Sequence, residues 1–136
     1  MKSIIRILVP GFVLNQYHLM FALVAALMYK FPSKELTVIG VTGTNGKSTT
    51  VDMITRIFKE AGIPVASASS IRFQVQEEEW RNTMKMTMPG RFVLQKFLRK
   101  AVDAGCTHAI IEVTSEGILQ NRHRFINFHT AVFTNL

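Results

Sequence analysis

A second cysteine is missing from this chain: Cys106 stands alone. That excludes an internal disulfide framework and any zinc site built from several thiolates, and it fits a reducing, cytoplasmic setting. Runs of basic residues are missing as well. Sixteen Lys and Arg face nine Asp and Glu for a net charge of +7, yet only Arg99 and Lys100 are adjacent. No aromatic residues interleave with the cations, so nucleic acid is not an expected partner; the charge reads first as surface solvation and next as a match for phosphate-bearing ligands. His18, His108, His123 and His129 show no metal-ligand spacing and read as structural or surface residues. Glycine and proline, at 8 and 4, are too few for a collagen-like or low-complexity chain. No internal repeat is visible.

A long apolar run is the last absence. Leu19 to Tyr29 is the longest, about half of the roughly 20 residues that a bilayer crossing requires. The segment after it, Lys30-Phe-Pro-Ser-Lys34, is a poor cleavage site for a signal peptide. The pattern predicts a helix over Tyr17 to Lys30, ending before Pro32 and buried against the rest of the protein. Attachment to a membrane surface is the second reading, because the helix is apolar nearly all round.

What is present suits one domain. The chain has 136 residues, of which 48% are hydrophobic and 18% charged, enough to build a core. From Leu36 the organisation is that of an α/β domain. Leu36 to Val41 is a continuously apolar, β-branched run, as in a strand buried on both faces. A glycine-bearing loop follows, then a helix over about Lys47 to Ala61 with Val51, Ile54, Ile57 and Phe58 on one face and Gly62 as its stop. Ile63 to Ser67 predicts the next strand. Ile71, Phe73 and Val75 alternate with polar residues in a hairpin arm whose turn is Glu77-Glu78-Glu79. Met84, Met86 and Met88 read as one face of an extended segment. A second helix carries Phe92, Leu94, Phe97, Leu98 and Ala101 and stops at Gly105. Strands over Thr107 to Val113 and Thr130 to Thr134 flank a short helix from about Ser115. Alternating strands and helices at this spacing predict a mostly parallel sheet with right-handed crossovers.

The chemistry sits at the first strand–loop–helix junction. Gly43, Thr44, Asn45 and Gly46 let backbone N–H groups turn toward a phosphate, and the helix starting at Lys47 presents its positive end to the same anion. Lys47 is placed for the β- and γ-phosphates of ATP, and the Ser48 hydroxyl, followed by Thr49, for Mg²⁺. The strict Walker A pattern would put a glycine at position 41; here Val41 stands there and Gly40 precedes it.

Gly43-Thr-Asn-Gly-Lys-Ser-Thr49 resembles the nucleotide loop of the Mur ligases, ATP-dependent amide-forming enzymes of cell-wall peptide synthesis. Three further segments agree in order. Thr87-Met-Pro89 is similar to the Thr-Thr-Pro of the UDP-N-acetylmuramoyl-tripeptide synthetases. Glu112-Val-Thr-Ser-Glu-Gly-Ile-Leu-Gln-Asn-Arg122 resembles their Glu-Val-Ser-Ser-His segment with its downstream Gln and Arg. Ala131 to Leu136 matches the strand that follows. The folylpolyglutamate synthases share the loop but not these later motifs. The branch that partners an amidotransferase, which often lacks an N-terminal domain, typically carries a cysteine cluster that Cys106 alone cannot supply.

The resemblance implies a P-loop-type parallel sheet flanked by helices, with residues 1–35 an apolar N-terminal segment and 36–136 the N-terminal part of a Mur ligase central domain. It implies ATP and Mg²⁺ as cofactors and a UDP-muramoyl-peptide and an amino acid as substrates. Lys47 and Glu112 would be catalytic, with Ser48 and Glu112 on the metal; Thr87, Ser115, Gln120 and Arg122 would hold the muramoyl-peptide. Ser115 reads equally as a helix N-cap. Glu116, Met88 and Thr114 stand where the family commonly has His, Thr and Ser. The remaining Mg²⁺ ligand, the modified lysine and the amino-acid-recognising domain are expected beyond this stretch, so that these residues alone would not complete ligation. An exposed sheet edge at the last strand would favour self-association. The alternative from another class is a non-catalytic ATP-binding module.

Overall fold

The computed structural model describes residues 10–84 and 86–135. The apolar residues Ile4, Ile5 and Ile7 to Val9, and Leu136, lie outside the described residues. The elements are α1 (Gly11–Met28), a 3-10 turn (Pro32–Glu35), β1 (Thr37–Thr42), α2 (Lys47–Glu60), β2 (Val65–Ala68), β3 (Arg72–Val75), β4 (Glu78–Arg81), α3 (Arg91–Asp103), β5 (His108–Glu112), α4 (Ser115–Leu119) and β6 (Phe128–Phe133). The six strands form one sheet in the order β4-β3-β2-β5-β1-β6. Strands β2, β5, β1 and β6 are parallel, and β3 and β4 add an antiparallel hairpin at one edge. This is the mostly parallel α/β architecture that the alternation of elements predicts.

Strand residues alternate between two cores. Val41, Val65 and Ile110 meet Val51, Ile54 and Phe58 of α2 on one face. Val38, Ala66, Ala109 and Ile111 meet Leu94, Phe97, Leu98 and Ala101 of α3 on the other. Both helices end where their glycines stand. The amides of Gly62 and Ile63 bond back to Lys59 and Phe58, and those of Gly105 and Cys106 to Val102 and Ala101, as in a left-handed C-terminal cap. The β1–β6 ladder shifts register between Val38 and Ile39, and His129 Nδ1 accepts the Val38 N–H at 3.2 Å. This histidine is structural.

Several expectations are corrected. Helix α1 begins at Gly11 and ends at Met28, and it is not buried: only Ala22, Ala25 and Ala26 are enclosed, while most of its large apolar side chains, Phe12, Met20, Leu27 and Met28 among them, face outward. Its end carries no glycine; instead the Arg99 guanidinium takes the carbonyls of Tyr29 and Lys30. Periodicity alone extends the helix through these residues because their closing partner is distant in sequence. Ile57 and Ile71 are exposed, at 64% and 63%, whereas Gln74 is buried. Gln74 tolerates burial because its amide donates to the Gln76 carbonyl at 2.8 Å. The hairpin turn is Gln76-Glu77, and Glu78 and Glu79 lie within β4. There the carboxylates form ion pairs, Glu78 with Lys100 and Glu79 with Arg72. The methionines share no face: Met88 is fully buried and Met86 is exposed, in a loop rather than a strand.

Candidate functional site

The loop from Gly43 to Gly46 leaves the carboxyl end of β1, the sheet edge where ligands of open α/β folds bind. Gly43 (φ +136°) and Gly46 (φ +79°) both adopt conformations that L side chains rarely reach. Helix α2 then starts at Lys47 with no capping side chain, so its first-turn N–H groups are left for an anion. Lys47 Nζ donates to the carbonyls of Gly43 at 3.0 Å and Thr44 at 3.3 Å, across the mouth of the loop.

The end of β6 holds this loop in shape. The N–H groups of Thr44 and Asn45 both donate to Asn135 Oδ1 at 3.0 Å, and Thr134 Oγ1 donates to the Asn45 carbonyl at 2.7 Å. Thr134 and Asn135 belong to a segment legible in sequence, but no local pattern marks them as supports of a loop some 90 residues earlier. A Cβ on Gly43 would collide with Thr134 Oγ1 and crowd the backbone of Asn135 at 3.1 Å. Gly43→Ala is therefore expected to lower stability by about 2 kcal/mol or more, combining backbone strain with the clash. Urea unfolding of the variant against the parent measures this, and an unchanged midpoint refutes it.

Strand β5 places Glu112 opposite Val41, at the same edge. Its carboxylate is buried, 2% exposed. Oε2 accepts from Ser48 Oγ at 2.8 Å and from the Ser70 N–H at 2.9 Å, and the hydroxyls of Ser48 and Ser70 are 2.7 Å apart. Ser70 carries no motif and was not legible in sequence. Beside this cluster opens a cleft of about 240 Å³ lined by Ser48, Thr49, Asp52, Ser67, Ser69 and Arg72.

The other four sequence candidates lie around α4. Arg122 is buried; its guanidinium donates to the Met88 carbonyl at 2.5 Å and to Gln120 Oε1 at 2.7 Å. Gln120 also donates to Glu116 at 2.9 Å. Thr87, half-buried, precedes Met88, whose carbonyl Arg122 takes. Ser115 is exposed and is not the N-cap: the Thr114 hydroxyl accepts the Gly117 N–H at 3.0 Å and fills that role. Arg91 adds a second guanidinium, donating to the Gln120 carbonyl and facing His18 Nδ1, each at 2.5 Å. Among the described residues neither Arg91 nor Arg122 has a carboxylate partner. Such a pair suits an anionic ligand.

Burial pushes His18 below the ordinary histidine value, and the positive charges of Arg91 and Arg122 push it further. Burial does the same to His123, with Arg124 adding to it. The folded protein thus protonates both rings less readily than the unfolded chain, whose histidines take up protons near 6.5. Stability present at neutral pH is therefore lost as pH falls below that value toward the folded-state values. The urea midpoint is expected to be lower at about pH 5.5 than at about pH 7.5, and His18→Gln with His123→Gln should shrink the difference. An equal drop in parent and double variant would refute the assignment.

A glycine loop between a buried parallel strand and an uncapped helix, with a carboxylate from the adjacent strand on its serine, defines a P-loop-type α/β domain. The chain belongs to the Mur ligase family: the family model of the Mur ligase middle domain matches residues 41–136. It is 35% identical over 114 residues to the UDP-N-acetylmuramoyl-L-alanyl-D-glutamate–2,6-diaminopimelate ligase of Cytophaga hutchinsonii, covering 84% of this chain and 23% of that one. It is 38% identical over 115 residues to the corresponding L-lysine ligase of Staphylococcus haemolyticus, covering 85% and 23%. A solved structure of a 2,6-diaminopimelate ligase superposes with a TM-score of 0.67 at 28% identity, over 74% of this chain and 20% of that chain. The chain spans about a quarter of the length of the curated relatives it matches.

Proposed function

We propose that this chain provides the nucleotide-binding part of an ATP-dependent ligase that joins an amino acid to a UDP-N-acetylmuramoyl-peptide. The observation that carries the reading is the meeting of Ser48 and Glu112 at 2.8 Å beside the glycine loop. In this reading the free N–H groups of α2 and the Lys47 ammonium hold the ATP phosphates. Transfer of the γ-phosphoryl group to the terminal carboxylate of the muramoyl-peptide would give ADP and an acyl phosphate. Attack by the amine of the amino acid on the acyl carbon would then expel phosphate and form the amide. Positioning and charge neutralisation supply most of the acceleration in such transfers.

Donor chemistry supports Mg²⁺ as the metal. Among the described residues no three His, Cys, Asp or Glu side chains gather to hold an ion unaided. A buried carboxylate and a hydroxyl instead form the partial, all-oxygen set that suits Mg²⁺, which keeps waters and phosphate oxygens as its other ligands. Bound there, the ion would neutralise charge on the phosphates.

Arg122, Arg91, Gln120 and Thr87 are proposed to face the anionic part of the muramoyl-peptide, with Ser115 at the exposed start of α4. The relatives reach the same 38% identity with a diaminopimelate ligase as with a lysine ligase. Overall identity therefore does not select between the two amino acids. The test is calorimetry of ATP with and without Mg²⁺, followed by mass spectrometry of the intact protein supplied with UDP-muramoyl-dipeptide and either diamino acid. Mg²⁺-dependent ATP binding is expected, and no new amide from these residues alone; a protein that binds no ATP overturns the reading.

A further inference from the structure

Helix α1 presents a surface that the nucleotide site does not use. Between Gly11 and Met28 there is no Lys, Arg, Asp or Glu. One side of the helix is docked on the domain through Ala22, Ala25 and Ala26. Polar contacts fix that side along its length: Asn15 Oδ1 accepts from Asn121 at 2.6 Å, His18 meets Arg91, and Arg99 takes the Tyr29 carbonyl at 3.0 Å. The opposite side is apolar and open. Phe12 is 72% exposed, Met20 57%, Leu27 57% and Met28 62%, with Tyr17 and Val24 between them. An apolar stripe about 24 Å long from Phe12 to Met28, by helix rise, is far more than the scattered apolar residues of an ordinary surface.

Charge selects the occupant. Residues 1–34 contain Lys2, Arg6, Lys30 and Lys34 and not one acidic residue. Lys30 and Lys34 are exposed at the C-terminal end of the stripe. A second copy seated isologously on this face would offer these cations no acidic partner from its own α1. An anionic bilayer complements both the stripe and its cations. By length and composition the helix is able to cross a bilayer, but docked on the domain it would carry Asn121 and Arg91 into the hydrocarbon with it. We propose that α1 lies in the plane of an anionic lipid surface, with Met20, Val24 and Leu27 embedded among the acyl chains. α1 packs on α3, and α2 covers the opposite sheet face, so the glycine loop stays open at the sheet edge.

The experiment is co-sedimentation of the intact chain with phosphatidylglycerol-rich vesicles and with pure phosphatidylcholine vesicles, at low and high salt. Binding to the anionic vesicles is expected, weakened by salt and released by an alkaline carbonate wash. Met20→Glu/Val24→Glu/Leu27→Glu should lower the bound fraction at least about tenfold, and Lys30→Glu/Lys34→Glu should abolish the preference for anionic lipid. Unchanged circular dichroism and ATP affinity would show that the variants fold. Equal binding by parent and triple variant overturns the proposal, and so does retention through carbonate, which would mean insertion. A parent that ignores vesicles but sediments as a dimer, with a monomeric triple variant, overturns it in favour of contact between copies.

Discussion

Lys47→Ala is expected to weaken ATP binding by about 10- to 100-fold, the scale of one to two charge-assisted hydrogen bonds. The side chain is the cation of the loop itself: its Nζ bridges the Gly43 and Thr44 carbonyls at 3.0 and 3.3 Å. A phosphate arriving at the start of α2 would exchange these neutral acceptors for charged oxygens, so the gain on binding is large. The free protein should lose little, since the bonds that Lys47 gives up are exposed or partly so, and Asn135 and Thr134 keep the loop in place. A near-parental melting temperature with a sharply raised Kd is therefore the expected pattern. Lys47→Arg should recover only part of the affinity, because a planar guanidinium does not replace a compact ammonium at this distance from the backbone. Calorimetry giving the same Kd for parent and Lys47→Ala would remove the loop from the nucleotide site altogether.

How much of this was legible in the sequence follows from how local each cause is. Helices α2 and α3 and the strands β1 and β5 are specified by their own periodicity and by glycine stops at 62 and 105, and they lie within a residue or two of where the pattern puts them. The loop 43–46 is legible for the same reason, since its glycines and Lys47-Ser48 are consecutive. What could not be read depends on partners far away in sequence. Helix α1 is composed like a buried helix, yet its alanine side is narrow enough to dock alone and leaves the large side chains in solvent. Ser70 and Asn135 reach the site only because β5 lies between β1 and β2, and β6 beside β1. Arg122 is readable as a cation for an anion, but its commitment to the Met88 carbonyl is a fact of packing. Gly117 belongs to the same contact: a Cβ there would collide with Met88 Sδ.

Glu112→Gln is expected to separate folding from metal-assisted binding, moving them in opposite directions. The carboxylate is 2% exposed and has two hydrogen-bond donors, Ser48 Oγ and the Ser70 N–H, but no cationic side chain within salt-bridge distance among the described residues. A buried charge compensated only by neutral donors costs stability. Glutamine keeps the shape and an acceptor oxygen for Ser48 and Ser70 while removing that charge. The nucleotide-free variant should consequently melt at or above the parental temperature. Toward Mg²⁺ the change is the reverse, because a neutral amide is a far poorer ligand for a hard divalent cation than a carboxylate. In the parent, Mg²⁺ is expected to tighten ATP binding by about tenfold or more, the scale of one charge-assisted ligand, and in Glu112→Gln that enhancement should vanish. Ser48→Ala should lose the enhancement too, but with lower stability, since it strips a donor from the buried carboxylate. Thermal melts with and without ATP and Mg²⁺ read both quantities in one set of samples. A Glu112→Gln protein that melts well below the parent yet retains the full Mg²⁺ effect would show that Glu112 is a structural carboxylate and that the metal lies elsewhere.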